Sequence, residues 1–183
     1  LTFSGLRRRA AMAPVLSFTA EEVWGYLPWV EEESVHLAPF PDPPAEWEDE
    51  ELAARWEKLL RVRGEVSRAL EVARKERGLG NSLNAAITLY PPDSLRPALE
   101  PYEGELAPLF IVSAARLSSP KSARLANGRP PAGAFESQEL LGLAVLVEPA
   151  PGQKCERCWN VRETVGKDPR HPSLCDRCAA VVG

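Results

Sequence analysis

Four cysteines, the only ones in the 183 residues, fall in two pairs near the end of the sequence. Cys155 and Cys158 form one C-x2-C pair, and Cys175 and Cys178 form another after sixteen intervening residues. Two residues between thiols let both sulfurs turn toward one point, and the longer loop can bring the pairs face to face. Four thiolates close a tetrahedral shell with no position for water. The spacing therefore predicts one structural zinc ion.

Two disulfides, or four unrelated buried thiols, are the alternative interpretations of the same pattern. The sequence shows no signal peptide and no stretch of about 20 apolar residues that could span a bilayer. We therefore expect a cytoplasmic, reducing location, where cysteines bind metal more often than they pair. His171 lies between the two pairs, but four cysteines already complete the shell, so it is left out of the predicted ligands.

Basic and aromatic residues surround the cysteines. Trp159 follows Cys158 directly, and its simplest role is to cover the metal core of a small module. The functional alternative is stacking on an unpaired base, with Arg157 bonding a base edge or a phosphate. Arg157 and Arg177 each lie inside a cysteine pair, where we expect their side chains to point away from the zinc. The candidate RNA-binding residues are Lys154, Arg157, Trp159, Arg162 and Arg177.

The net charge of −4 is unevenly distributed. Residues 42–57 hold seven acids and one base, whereas residues 106–135 hold four bases and no acid. A further basic segment, Arg7 to Arg9, lies near the start. Because local patches and not net charge bind nucleic acid, the acidity does not exclude an RNA partner.

Motifs for covalent chemistry are missing from the sequence. There is no Gly-rich phosphate loop, no H-E-x-x-H and no G-x-S-x-G. The two histidines, His36 and His171, have no neighbouring nucleophile to activate. We therefore predict no catalytic residue in this chain and interpret it as a binding and scaffolding piece.

The predicted fold class is α+β in three parts: the end of a helical domain (residues 1–80), a small α/β subdomain (81–150) and a zinc module (151–183). Thr19 and Glu22 predict a capping box at the start of a short helix. Apolar residues recur every three or four positions from 48 to 77, which predicts a long amphipathic helix. They are Leu52, Trp56, Leu59, Val62, Val66, Leu70 and Ala73.

The outer face of that helix carries six bases, and such a face is most often simply solvated. These bases are Arg55, Lys58, Arg61, Arg68, Arg74 and Lys75. Beyond the helix, β-branched and apolar runs predict strands at residues 85–90, 109–112 and 143–147. Residues 118–138 are rich in Ser, Pro, Gly and Ala, which predicts a loop or an extended arm.

Several motifs together resemble one family. PVLSFTAEEVW (residues 14–24) and SVHL (34–37) resemble the anticodon-binding helical domain of class I aminoacyl-tRNA synthetases. Within that class, GLGNSLNA (78–85), LFIVS (109–113) and KCERCW (154–159) resemble bacterial isoleucyl-tRNA synthetase. These motifs occur in the same order as in that family. The sequence is similar to the C-terminal region of that family: the end of the anticodon-binding domain and a zinc finger.

The resemblance implies that the four cysteines are zinc ligands and that the module helps to hold the anticodon stem-loop of isoleucine tRNA. It implies an upstream catalytic domain that uses ATP and an inserted editing domain. The signatures of the catalytic domain are absent from this sequence. The resemblance also makes the basic helix face and the Arg7–Arg9 segment candidates for contacts with the RNA backbone. Two alternatives remain: a structural zinc module without RNA contact, and the zinc-finger tail of a DNA glycosylase. The glycosylase alternative requires a helix–two-turn–helix before the finger, where this sequence has a strand and a Pro-Gly linker.

Overall fold

The computed structural model describes residues 11–28, 30–40, 44–118 and 130–183, which form two compact units, Leu1–Glu50 and Glu51–Gly183. Both helices and sheets are present, so the predicted α+β class is confirmed. Among the described residues, no helix has the length and apolar character that a membrane span requires. Arg7, Arg8 and Arg9 lie outside the described residues.

The first unit is built on helix α1, Ser17–Gly25. Trp24 on its inner face is almost fully buried and packs with Ala20 and Val35. The Trp24 indole N–H donates to the Glu32 carbonyl over 2.9 Å, so the polar atom of this core tryptophan has a partner. The Glu21 carboxylate accepts from the Val35 N–H over 3.0 Å and thereby holds the following loop against the helix.

The capping box predicted at Thr19 is wrong. Helix α1 begins two residues earlier, with Leu16 at the N-cap and no side chain bonded to the first amides. The reason is that a turn before the helix runs directly into it, since the Leu16 N–H already donates to the Met12 carbonyl over 2.8 Å. The Ser17 hydroxyl donates to the Ala13 carbonyl over 2.9 Å. Thr19 lies inside the helix because the helix already begins at Ser17.

The second unit contains all but the first residue of the 28-residue helix α2, Glu50–Arg77, which ends where Gly78 adopts a left-handed φ of 70°. Its apolar stripe is buried only from Leu59 onward, because the core that it shares with the sheet starts there. Leu52 and Trp56, predicted on the buried side, are 39% and 42% exposed. The buried residues of α2 are Leu59, Val62, Glu65, Val66, Ala69, Leu70 and Ala73.

A four-stranded sheet packs against α2, with strand order β2-β1-β4-β3. Strands β1 and β2 are parallel and the other two pairs are antiparallel, with Ile87 opposite both Ala115 and Val147. The parallel connection runs through two short α-helices and a 3₁₀ helix that pack on the same core. The elements are β1 Ala85–Tyr90, α3 Arg96–Leu99, the 3₁₀ helix Glu100–Glu105, α4 Leu106–Phe110, β2 Ala114–Leu117, β3 Phe135–Glu136 and β4 Ala144–Pro149.

The strand predicted at residues 109–112 is wrong. These residues close helix α4, and Ile111 then turns the chain with a left-handed φ of 56°. The strand follows at Ala114–Leu117. A four-residue apolar run does not distinguish a buried strand from the end of a buried helix, which explains the error. The strand predicted at 85–90 is confirmed, and the one predicted at 143–147 lies at Ala144–Pro149.

Candidate metal centre

The first cysteine pair lies in the turn of a small hairpin. Strands β5, Gln153–Lys154, and β6, Val161–Arg162, pair antiparallel, and residues 155–160 connect them. The Cys155 N–H donates to the Asn160 carbonyl and the Trp159 N–H to the Cys155 carbonyl, both over 2.9 Å. Gly152 precedes the hairpin with a φ of 107°, and a Cβ there would lie 2.3 Å from the Arg162 carbonyl carbon. The hairpin therefore requires a glycine at this position.

The second pair is presented by the C-terminal helix α5, Asp176–Val182. Cys175 stands at its N-cap, and Cys178 lies on its first turn. The Thr164 hydroxyl donates to the Asp176 carboxylate over 2.8 Å, which attaches the helix start to the loop between the pairs. The Cys175 N–H donates to the Cys155 sulfur over 3.3 Å. The two cysteine pairs therefore face each other.

The four sulfur atoms form one cluster in which all lie within 4.8 Å of one another, and none is in a disulfide. The Cys158 and Cys175 sulfurs are 3.8 Å apart. A regular tetrahedron with zinc–sulfur bonds of about 2.3 Å has edges of about 3.8 Å, so this spacing fits a zinc ion. His171 is not part of the cluster, since its Nε2 lies 3.3 Å from the Gly183 carbonyl oxygen.

The thiols differ in how readily they ionise. Burial disfavours the Cys158 thiolate, but hydrogen bonds from Asn160 outweigh this and lower the pKa of Cys158 to about 6. Burial raises the pKa of Cys175 to about 11. Zinc binds thiolates, so an ion entering the cluster displaces the proton that the buried Cys175 otherwise keeps.

Arg177 lies beside the sulfurs, contrary to the expectation that it points away from them. A hydrogen bond with the Cys158 thiolate, together with the charge of that group, raises the pKa of Arg177 above its ordinary value. Four thiolates around one Zn²⁺ leave negative charge in excess, and an adjacent guanidinium offsets part of it. The sequence pattern missed this contact because residue spacing does not specify the direction of a long side chain.

The other four RNA-binding candidates lie on the hairpin strands and in its turn. Trp159 is 59% exposed, and the Lys154 ammonium lies 5.4 Å from the centre of its ring. Arg157 is exposed in the same turn, whereas Arg162 is half-buried on β6 with its Nε shielded from solvent. Trp159 has a left-handed φ of 63°, which is unfavourable for any residue except glycine. No sequence signal indicated this strained backbone.

The six bases predicted on the outer face of helix α2 fall into two groups. Arg68 forms ion pairs of 2.6 Å with both Glu65 and Glu139, and Arg74 pairs with Glu71 at 3.0 Å. The other four are exposed side chains. They are Arg55, Lys58, Arg61 and Lys75.

Two protein families match parts of the chain. The family described as an anticodon-binding domain of tRNA ligase matches residues 9–89, and the zinc finger found in FPG and IleRS matches residues 152–181. The zinc-finger match includes all four clustered cysteines. Together with the sulfur geometry, it supports the predicted structural zinc site over the two alternatives, disulfides and unrelated thiols.

Curated relatives match nearly the whole chain. An isoleucine–tRNA ligase from Moorella thermoacetica is 50% identical over 173 residues, and one from Geobacter sulfurreducens is 49% identical over 172 residues. One from Bacillus mycoides is 43% identical over 171 residues. Each match covers 93% of this chain but 18% of the relative. The chain therefore spans less than a fifth of the length of these enzymes.

Proposed function

We propose that this chain is the tRNA-binding C-terminal part of an isoleucine–tRNA ligase, because relatives of that name are 43–50% identical over 93% of it and an anticodon-binding domain matches residues 9–89. It holds the anticodon stem-loop of isoleucine tRNA in the cytoplasm. A catalytic domain outside this sequence then uses ATP to attach isoleucine to the tRNA. The three-part division at residues 80 and 150 remains part of this proposal.

The observation that carries the proposal is the exposed turn of the zinc hairpin. Trp159 presents an aromatic ring that is 59% exposed, and Arg157 and Lys154 place positive charge beside it. Stacking of one base on an aromatic side chain contributes about 1–3 kcal/mol, and the cations add attraction to the phosphates. This combination suits the unpaired bases of a loop better than the groove of a duplex.

The exposed bases of α2 have a different role in the proposal. Arg55, Lys58, Arg61 and Lys75 contact phosphates, which positions the RNA without reading its sequence. Arg68 and Arg74 already have carboxylate partners and contribute less. Arg177 serves mainly to offset the charge of the zinc site.

The test measures binding of the zinc-loaded chain to two anticodon stem-loops at physiological salt. One carries the isoleucine anticodon, and the other differs in those three bases alone. Tighter binding to the first supports sequence readout by this chain. Equal binding to both indicates that the chain contacts the RNA backbone without reading the anticodon. Absence of binding to either, with folding verified by circular dichroism, refutes the proposal.

A second candidate function is a structural module that makes no RNA contact. It is supported by the buried sulfurs and by Arg177, whose charge is engaged inside the module. Replacing Arg157 and Trp159 together by alanine, with all cysteines retained, separates the two functions. Unchanged RNA affinity with one zinc per chain favours the structural module. For the glycosylase alternative, the anticodon-binding match over residues 9–89 argues against it.

A further inference from the structure

Within the described residues, one hydrogen bond joins residues 153–183 of the zinc module to the sheet and helices of its unit. The Val161 N–H donates to the Ser113 hydroxyl oxygen over 2.7 Å. The same hydroxyl donates its proton to the Leu83 carbonyl, and the Ser113 N–H donates to the Ala85 carbonyl over 3.0 Å. Ser113 is 6% exposed, so these contacts are shielded from water. One hydroxyl thus acts as both donor and acceptor at the junction.

The position of Ser113 follows from the fold around it. The left-handed turn at Ile111 ends helix α4 and directs the chain into β2. The parallel register, with Ala114 opposite Ala86, then places Ser113 beside the start of β1. The chain leaving β4 returns to the same end of β1, where the Ala150 N–H donates to the Asn84 carbonyl over 2.7 Å. The linker and the serine therefore hold the module at one end of the sheet.

We propose that Ser113 is a positioning residue whose hydroxyl sets the orientation of the zinc module on the sheet. After the bond at Ala150, the linker continues through Pro151 and Gly152. These two residues alone do not fix the orientation of the module relative to the sheet. The bond to Val161 removes that freedom. This inference rests on the proposed function, because a fixed orientation lets Arg157 and Trp159 reach the same RNA that the bases of α2 contact.

Ser113→Ala tests the proposal, and the fold supplies a matched control. Ser137 is 7% exposed, and its hydroxyl accepts from the Leu140 N–H over 2.8 Å, away from the zinc module. Ser137→Ala therefore removes a hydroxyl of similar burial and partner type without touching the junction. Ser113→Thr keeps the hydroxyl and serves as the rescue variant. All three are compared as zinc-loaded full chains with the isoleucine anticodon stem-loop as the probe.

Loss of the hydroxyl at 113 removes a buried hydrogen bond and lowers affinity for the stem-loop about fivefold. The expected result is this loss in Ser113→Ala, with wild-type affinity in Ser137→Ala and Ser113→Thr, and one zinc per chain throughout. An affinity that falls equally in both alanine variants overturns the proposal, because general destabilisation then explains it. Wild-type affinity in Ser113→Ala overturns it as well.

Residual dipolar couplings measure the orientation without RNA. In the wild type, the amides of residues 153–183 and those of the sheet fit one alignment tensor. In Ser113→Ala, the couplings of the module shrink relative to those of the sheet. A shared tensor in Ser113→Ala refutes the positioning role. If the wild type fails to bind the stem-loop, the proposed function fails, while these couplings still decide whether Ser113 orients the module.

Discussion

The left-handed backbone at Trp159 leads to a prediction about zinc affinity. The φ of 63° costs a residue with a Cβ about 1 kcal/mol more than it costs glycine. Trp159→Ala and Trp159→Gly both remove the indole and its contact with Lys154, so their difference isolates the backbone. Because folding of such a module is coupled to metal binding, Trp159→Gly binds zinc about fivefold more tightly than Trp159→Ala.

Competition with a chromophoric chelator at pH 7 measures both zinc affinities in the full chain. Arg157 provides the control, because it lies in the same turn, is exposed and does not have a positive φ. At an ordinary φ, glycine is the less stable choice, since it loses more backbone entropy on folding. Arg157→Gly therefore binds zinc more weakly than Arg157→Ala, the opposite order.

Two results refute this reasoning. One is a glycine variant at 159 that binds zinc no more tightly than the alanine variant. The other is a glycine variant that binds zinc more tightly than the alanine variant at position 157 as well as at 159, because the effect then belongs to glycine in general and not to the left-handed backbone. Both variants at 159 weaken binding to the isoleucine anticodon stem-loop to the same extent, because both lack the stacking ring.

Three further predictions concern the metal, the core and the RNA. Serine at any one of the four cysteine positions releases zinc and unfolds residues 153–183, because metal binding supplies the folding free energy; zinc near one per chain contradicts this. Leu59→Ala lowers the free energy of unfolding by about 2–5 kcal/mol, whereas exposed Leu60→Ala changes it by less than about 0.5 kcal/mol, as urea denaturation measures. The logarithm of the RNA affinity falls linearly with the logarithm of salt concentration, because phosphate contacts release counterions, and a flat response argues against contacts by the basic face of α2.

The sequence predicted best where chemistry restricts the answer. Two C-x2-C pairs at this spacing have few uses, and the sulfurs lie together as predicted. The strand Ala85–Tyr90 was predictable because β-branched residues end at a Pro-Pro stop. Leu52 shows the limit of periodicity, since it continues the stripe of α2 without being buried. Periodicity reports which face of a helix is apolar, and the extent of the partner surface decides which turns are buried.

Contacts between polar atoms of residues far apart in the sequence could not be predicted from the sequence. Nothing in the order of residues brings Ser113 to Val161, because 48 positions separate them and the contact depends on the parallel register of β1 and β2. The approach of Arg177 to the Cys158 sulfur likewise depends on how helix α5 faces the hairpin. These are tertiary placements, and local pattern carries no information about them.

Trp159 is the position where local preference and tertiary demand conflict. The turn after Cys158 needs a left-handed residue, for which glycine is best, yet the sequence places a bulky aromatic there. The cost of about 1 kcal/mol is small beside the apparent 10–16 kcal/mol that structural zinc contributes in zinc-finger peptides. The metal therefore holds the turn in place despite its strained residue. An exposed indole at a strained position supports the proposal that Trp159 stacks on an RNA base.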